Sequence, residues 1–297
     1  MGKAPLPVRA KGGTDGAVEA ARSLLYVPGD DRRKLESADR SGADVVVVDF
    51  EDGVAEARKR EARAQLELFI ASRDESGPPL AVRLNAPSSS LMNDDLACVT
   101  GMPLVALVVP KAHAAELAAL DFGELPILAM IEDARGVRES YEIACDARVV
   151  RLALGGVDLA ADLGLGSSPG GLELLHVRSG LVVDSAAAGI APPVDTPFVH
   201  YRDDAGLVRE CEIVKVLGFS GKACIHPGQV RTVTRAFAPS STELEWAAAV
   251  IEAYDRAVRD DTGVTSYDGE MIDRPVILRA RLLLRRARRD NATIGDA

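Results

Sequence analysis

Aromatic side chains are scarce in this chain: six Phe, five Tyr and one Trp among 297 residues. A buried core must therefore be built from Val, Leu, Ile and Ala, and 47% of the sequence is hydrophobic. Cysteine is equally thin. Cys98, Cys145, Cys211 and Cys224 lie far apart with no CxxC pair, which argues against a disulfide framework and against zinc, and predicts a reducing, cytoplasmic setting. No apolar run approaches the ~18 residues of a membrane span, and residues 1–20 carry no stretch resembling a secretory leader. Positive charge is also in deficit. With a net charge of −10, neither nucleic acid nor an anionic membrane is an expected partner. An anionic small molecule would need local Arg and Lys. Gly155–Gly164 is glycine-rich but matches neither GxGxxG nor GxxxxGK[ST], so a nucleotide loop is rejected.

What the chain does have is a series of apolar runs that stop on charged residues. VVVV leads into Asp49-Phe50-Glu51-Asp52, PILAMI into Glu132-Asp133, and RLALGG into Val157-Asp158. AVRLN carries Arg83 and Asn85, and LVVPK ends on Lys111. Candidate strands are Leu24–Val27, Val45–Asp49, Leu80–Leu84, Val105–Val109, Ile127–Ile131, Val150–Leu154, Ile190–Val194 and Lys222–Ile225. They lack apolar/polar alternation, which predicts burial on both faces. Segments of helical spacing separate them, such as Val54–Ser72 with Ala62, Leu66, Phe69 and Ile70 on one side. Strands alternating with helices argue for a (β/α)8 TIM barrel of the α/β class. The rival is an open doubly wound sheet. Residues 1–21 read as a flexible leader, 22–238 as the barrel, and 239–297 as a C-terminal helical extension or lid. The extension would hold a helix over Thr242–Arg259, a polar segment over 260–270, and a last helix from Arg274 with Pro275 in its first turn.

In parallel α/β folds, strand carboxyl ends line the ligand site. Glu132 and Asp158 are candidate ligands of Mg²⁺, which takes a few carboxylates and completes its shell with water and substrate; capping of the following helix is the other reading for each. Asp49, Glu51 and Asp52 crowd three acids into four residues, which calls for a cation, an arginine or water. They read as supporting groups, with Glu51 holding a metal-bound water, or as salt-bridge partners of Arg22 or Arg83. Arg83 is either a clamp for a substrate carboxylate or enolate oxygen or the structural partner of Asp49 and Glu51. Lys111 is either an anion contact or a helix-start residue. His226 lies at the last strand end with no partner histidine at metal spacing. Arg285, Arg286, Arg288 and Arg289 read as a solvated helix face.

Taken in order, RSLLYVPGDDRRKLE (22–36), GADVVVVDFEDGVAEARK (42–59), VRLNAPSSSLMNDDL (82–96), MIED (130–133), GGVDLAADLG (155–164), GFSGKACIHPGQ (218–229) and GEMIDRP (269–275) resemble the citrate lyase beta-subunit-like family, which includes malyl-CoA and citramalyl-CoA lyases. The resemblance implies a (β/α)8 barrel with a C-terminal extension and a homo-oligomer, trimeric or a multiple of that. It implies Mg²⁺ on Glu132 and Asp158, and Arg83 on substrate. Tyr26, Arg33, Ile225 and His226 would lie along a CoA path. Arg33 stands where relatives often carry Lys. Asp273 would reach a neighbouring subunit's site as acid/base. Three departures are visible. DFED replaces the DxEH of pyruvate-type aldolases, Val157 stands where many relatives have Glu, and Glu270 where Lys is common. The activity implied is Mg²⁺-dependent carbon–carbon cleavage of a 3-hydroxyacyl-CoA into an acyl-CoA and a 2-oxo acid, or the reverse. The alternatives are an aldolase on free 2-oxo acids and a citrate lyase beta subunit acting on an acyl-carrier protein.

Overall fold

A computed structural model describes residues 16–74, 76–168, 170–259 and 265–295. Eight strands form a closed parallel barrel in sequence order. They are β1 (Ser23–Pro28), β2 (Val45–Asp49), β3 (Leu80–Arg83), β4 (Ala106–Val109), β5 (Ile127–Ile131), β6 (Val149–Leu154), β7 (Ala191–Asp195) and β8 (Gly221–Cys224). The helices of this unit are α1 (Ala17–Ala20), α2 (Arg32–Asp39), α3 (Lys59–Ser72), α4 (Met92–Val99), α5 (Ala114–Ala119), α6 (Ala134–Cys145), α7 (Gly156–Asp162), α8 (Leu175–Ala188), α9 (Asp204–Leu217) and α10 (Pro227–Phe237). The (β/α)8 barrel expected from the strand pattern is what forms. Strands β2 and β5 match their expected spans residue for residue, and the others shift by one residue at one or both ends.

The lack of alternation has a simple cause: both strand faces are covered. Along β2, Val45 and Val47 face the barrel interior with Leu24, Ala81, Ala106, Val108, Leu128, Met130, Ala153 and Val194. Val46 and Val48 pack outward against the helical layer, with Leu35, Leu66 and Leu107. Small residues on three inner strands let the larger ones interdigitate, as a filled barrel requires. The inward set is Leu24, Val45, Ala81 and Leu128, so continuing each strand by twos puts Tyr26, Asp49, Arg83 and Glu132 inward at the carboxyl-terminal mouth.

Two departures from expectation concern the ends of the barrel. The leader predicted over residues 1–21 is corrected at its inner end, because α1 folds over residues 17–20 with Val18 and Ala21 buried in the interior cluster. Residues 1–15 lie outside the described residues. The second correction is Asp158. It is not a strand-end residue but sits in the first turn of α7, since β6 stops at Leu154 and Gly155-Gly156 turn the chain into a helix. The stretch expected to be helical from Val54 opens with a 3-10 turn at Glu56–Arg58 before α3 begins. The buried Lys59 ammonium fastens that start by donating to the carbonyls of Phe50 and Glu51 at 2.7 Å each.

Below the mouth, the outer layer carries a buried ion network. Asp195 pairs with both Arg178 and Lys222, and Lys222 also pairs with Glu210. These bonds tie β7 and β8 to α8 and α9.

Residues 238–297 make a second compact unit. It contains α11 (Ser241–Arg259), a hairpin of β9 (Thr265–Tyr267) and β10 (Glu270–Ile272), and α12 (Arg274–Gly295). A capping box starts α11: Ser240 Oγ accepts from the Glu243 amide at 3.1 Å, and Glu243 Oε2 accepts from the Ser240 amide at 2.8 Å. The hairpin was not foreseen, although its turn is an Asp268-Gly269 pair with both residues at positive φ, the sequence that a tight two-residue loop favours. Ala247, Val250, Ile272, Ile277, Ala280 and Leu283 form this unit's own core.

Candidate active site

The mouth of the barrel is organised around one arginine. Arg83, the last residue of β3, donates from Nε to Asp49 Oδ1 and from Nη2 to Asp49 Oδ2, each at 2.7 Å. Asp49 ends the neighbouring strand, and the two are register partners, so the bidentate pair is set by the sheet itself. The remaining Asp49 capacity goes to the amides of Glu51 (2.8 Å) and Gly53 (2.9 Å), which fold the following loop back over the mouth. The salt bridges from Arg83 to Asp49 and to Glu51 read from the sequence as an alternative are therefore both present; among the described residues Arg22 pairs with Asp44 instead. Burial opposes the Arg83 charge, but Asp49 and Glu51 outweigh it and push its proton affinity up. Arg83 also lies over the Tyr26 ring at 5.4 Å. Burial raises the Tyr26 phenol well above its ordinary range, so it stays protonated, with its hydroxyl 3.8 Å from Met130 Sδ.

Glu51 returns to the same point from the loop. Its Oε1 accepts from Lys111 Nζ at 2.7 Å, and its Oε2 lies 3.0 Å from Arg83 Nη1. That second oxygen is buried and makes no hydrogen bond. Asp52 is exposed in the loop beyond.

Glu132 follows β5 and points inward. Its neighbour Asp133, not Glu132, caps α6 by accepting from the Gly136 amide at 2.7 Å. The capping alternative for Glu132 is thereby removed, and Gly155 occupies the cap position of α7, which removes it for Asp158. Glu132 Oε2 accepts from the Lys111 amide at 2.8 Å, while Oε1 is buried without a hydrogen-bond partner. Burial lifts the Glu132 carboxyl to about 7, and the charges of Glu51 and Asp158 add to the rise against the pull of Arg83. A side chain at position 155 would drive a Cβ to 2.3 Å from Glu132 Cγ, so only glycine admits Glu132 here.

This donor set fits a hard divalent cation. It offers a buried carboxylate oxygen with no partner, a second carboxylate near enough to raise its pKa, and no nitrogen or sulfur ligand. Among the described residues no group of three or more His, Cys, Asp or Glu makes a complete cage. The shell these residues can supply is partial, leaving positions for water and a chelating ligand.

Two contributors escaped the sequence reading. Thr196, just after β7, accepts the Gly156 amide on Oγ1 at 3.0 Å and packs on Gly156, where a Cβ would come within 3.1 Å of its own Cβ. It thus anchors the turn that carries Asp158. Tyr201 stacks on His226, centroids 5.1 Å apart and planes 22° off parallel, with the Arg202 guanidinium 5.4 Å from the ring. Gln229 Oε1 accepts from the amides of Ile225 (2.9 Å) and His226 (3.2 Å), which leaves both side chains exposed at the end of β8. Arg33 is exposed in the first turn of α2, whose cap is Asp31. The mouth therefore gathers Tyr26, Asp49, Glu51, Arg83 and Glu132. Asp273 belongs to the second unit, where its carboxylate caps α12 through the Val276 amide at 3.1 Å.

The family model for HpcH/HpaI aldolase/citrate lyase matches residues 22–227. The chain belongs to that family. Among curated relatives, the citrate lyase subunit beta of Leuconostoc mesenteroides subsp. cremoris is 33% identical over 281 residues, covering 90% of this chain and 93% of that protein. A (3S)-malyl-CoA thioesterase of Cereibacter sphaeroides is 35% identical over 269 residues, covering 90% and 94%. Among solved structures, CitE of Mycobacterium tuberculosis in complex with magnesium, acetoacetate and coenzyme A superposes with a TM-score of 0.77 at 33% identity, covering 91% of this chain and 99% of that one. Among the described residues no helix is long and apolar enough to cross a membrane.

Proposed function

We propose that the chain is a Mg²⁺-dependent carbon–carbon lyase that cleaves, or forms, a 3-hydroxyacyl-CoA, yielding an acyl-CoA and a 2-oxo acid. The observation that carries this reading is the orphaned, buried Glu132 oxygen at a mouth where Asp49 and Glu51 hold the Arg83 guanidinium in place. Glu132 and Asp158 are the residues to hold the cation. Once bound, Mg²⁺ would polarise the oxygen that becomes the keto group and offset its charge. Everything else falls to side chains. Asp49 fixes the guanidinium plane of Arg83, so its outer N–H groups face the mouth and stabilise the oxygen that gains charge as the carbon–carbon bond breaks. Tyr26 and Met130 form the floor beneath it and keep water out. Asp273 is the proposed acid/base. In cleavage the hydroxyl proton leaves to solvent as the carbon–carbon bond breaks, and Asp273 gives a proton to the enolate carbon. In condensation Asp273 takes that proton and the new alkoxide is protonated from solvent. Following the resemblance, it would act from a neighbouring subunit of a homotrimer or a multiple of one. Arg33, Ile225 and His226 are the proposed contacts along the CoA chain, with Tyr201 stacked behind His226.

Hydrolysis of the thioester is a second reading, favoured by the likeness to (3S)-malyl-CoA thioesterases. A panel of malyl-, citramalyl-, citryl- and 3-hydroxy-3-methylglutaryl-CoA with Mg²⁺ separates the two. A lyase releases a keto acid and leaves the thioester intact; a thioesterase releases free thiol with no keto acid. Turnover of none of the four would count against both. Asp273→Asn should keep the fold and the Mg²⁺ affinity and lose most turnover; activity like that of the unmodified enzyme would remove Asp273 from the mechanism.

A further inference from the structure

Lys111 stands out for its backbone. Its φ of 46° puts a residue with a side chain in the left-handed region, which only glycine and a few polar residues enter readily. Two contacts depend on that placement. The amide donates to Glu132 Oε2 at 2.8 Å, and the ammonium donates to Glu51 Oε1 at 2.7 Å.

The second contact has a consequence for Arg83. Glu51 Oε2 forms an ion pair with Arg83 Nη1 at 3.0 Å, but the two are not aligned as a hydrogen bond. A buried carboxylate that close to a guanidinium gains most by turning into a charge-assisted bond with it. Lys111 prevents the turn by holding the other oxygen. We propose that Lys111 is a positioning residue that restrains Glu51, so that its ion pair with Arg83 Nη1 stays unaligned and the incoming oxo acid can take that N–H. This rests on the reading of Arg83 as a substrate contact given above. Lys111 works through Glu51, and the substrate is bound by Arg83.

The test is a double-mutant cycle on the full-length protein. Glyoxylate, pyruvate and oxaloacetate are titrated into it calorimetrically in the presence of Mg²⁺. Lys111→Met and Lys111→Gly should each weaken binding of the oxo acid by ~10-fold without weakening Mg²⁺ binding, since the amide to Glu132 remains. Glycine also suits the left-handed φ, so that variant offsets part of the lost ammonium contact by relieving the backbone. In a Glu51→Gln background the same substitutions should change oxo-acid binding by less than ~2-fold, because the competitor for Arg83 has lost its charge. Equal weakening in both backgrounds would mean that Lys111 touches the ligand itself and would overturn the proposal. So would single variants that bind like the unmodified chain. If the unmodified protein binds none of the three acids with Mg²⁺, the lyase reading fails first and this inference goes with it.

Discussion

The two ends of this barrel treat buried charge in opposite ways. At the amino-terminal floor, Arg151 is fully buried, and its guanidinium donates to the carbonyls of Pro192 (2.7 Å), Val18 (2.7 Å) and Ala21 (2.6 Å) and to Ser220 Oγ (2.7 Å). At the mouth, Glu132 is also buried, yet its Oε1 has no hydrogen-bond partner, and the neighbouring Glu51 Oε2 has only its ion pair with Arg83. A saturated charge is a structural rivet. An unsaturated one is a cost the fold carries until something binds.

The sharpest way to break this contrast is to remove the rivet. Arg151→Met strands the carbonyls of Val18, Ala21 and Pro192 in the floor, and should destabilise the protein by about 3–5 kcal/mol in urea unfolding. Mg²⁺ affinity of the protein that remains folded should be unchanged. Equal loss at both ends would mean that floor and mouth are not separable.

The second route is pH. Glu132 titrates at about 7 in the folded, metal-free protein against an ordinary 4.5. Between those values the folded state holds a proton that the unfolded chain has released. The stabilisation from that proton is complete below 4.5 and is lost as pH rises through 7, amounting to about 3 kcal/mol. A cation needs the ionised form, so Mg²⁺ affinity should fall ~10-fold per pH unit below 7, with about one proton released on binding at pH 6 and almost none at pH 8. Calorimetry in buffers of differing ionisation enthalpy reads that number. Binding at pH 6 with no proton release would separate Glu132 from the cation.

The smallest expected effect sharpens the comparison at one residue. Thr196→Val keeps the shape and deletes the hydroxyl that holds the Gly156 amide. Mg²⁺ affinity should drop by ~3–10-fold through the loosened turn under Asp158, for about 1 kcal/mol of stability. Thr196→Ser should retain both.

How far the sequence could be read differs in the same way between the two ends. Strands such as Val45–Asp49 and Ile127–Ile131 were legible because burial on both faces writes an unbroken apolar run. The acids at their ends were legible because a run that stops on a charge is rare in a core. Arg151 was invisible as a rivet. Its partners come from α1 and from the residues around β7 and β8, and no local pattern joins them. Asp158 was placed on a strand end because two glycines hide a helix start as easily as a loop. Lys111 could be seen only as a charge after a strand; its left-handed backbone, which aims the amide at Glu132, has no signature in residue type.

The mouth keeps a buried carboxylate unsatisfied for a cation, and thermal unfolding with and without Mg²⁺ at pH 8 reads this out. The unmodified protein should gain stability on adding Mg²⁺. Glu132→Gln should start at an equal or higher melting temperature, because a buried charge has gone, and should not respond to the metal. A Glu132→Gln protein that melts lower and still shows the full Mg²⁺ shift would mean that the cation does not sit on Glu132.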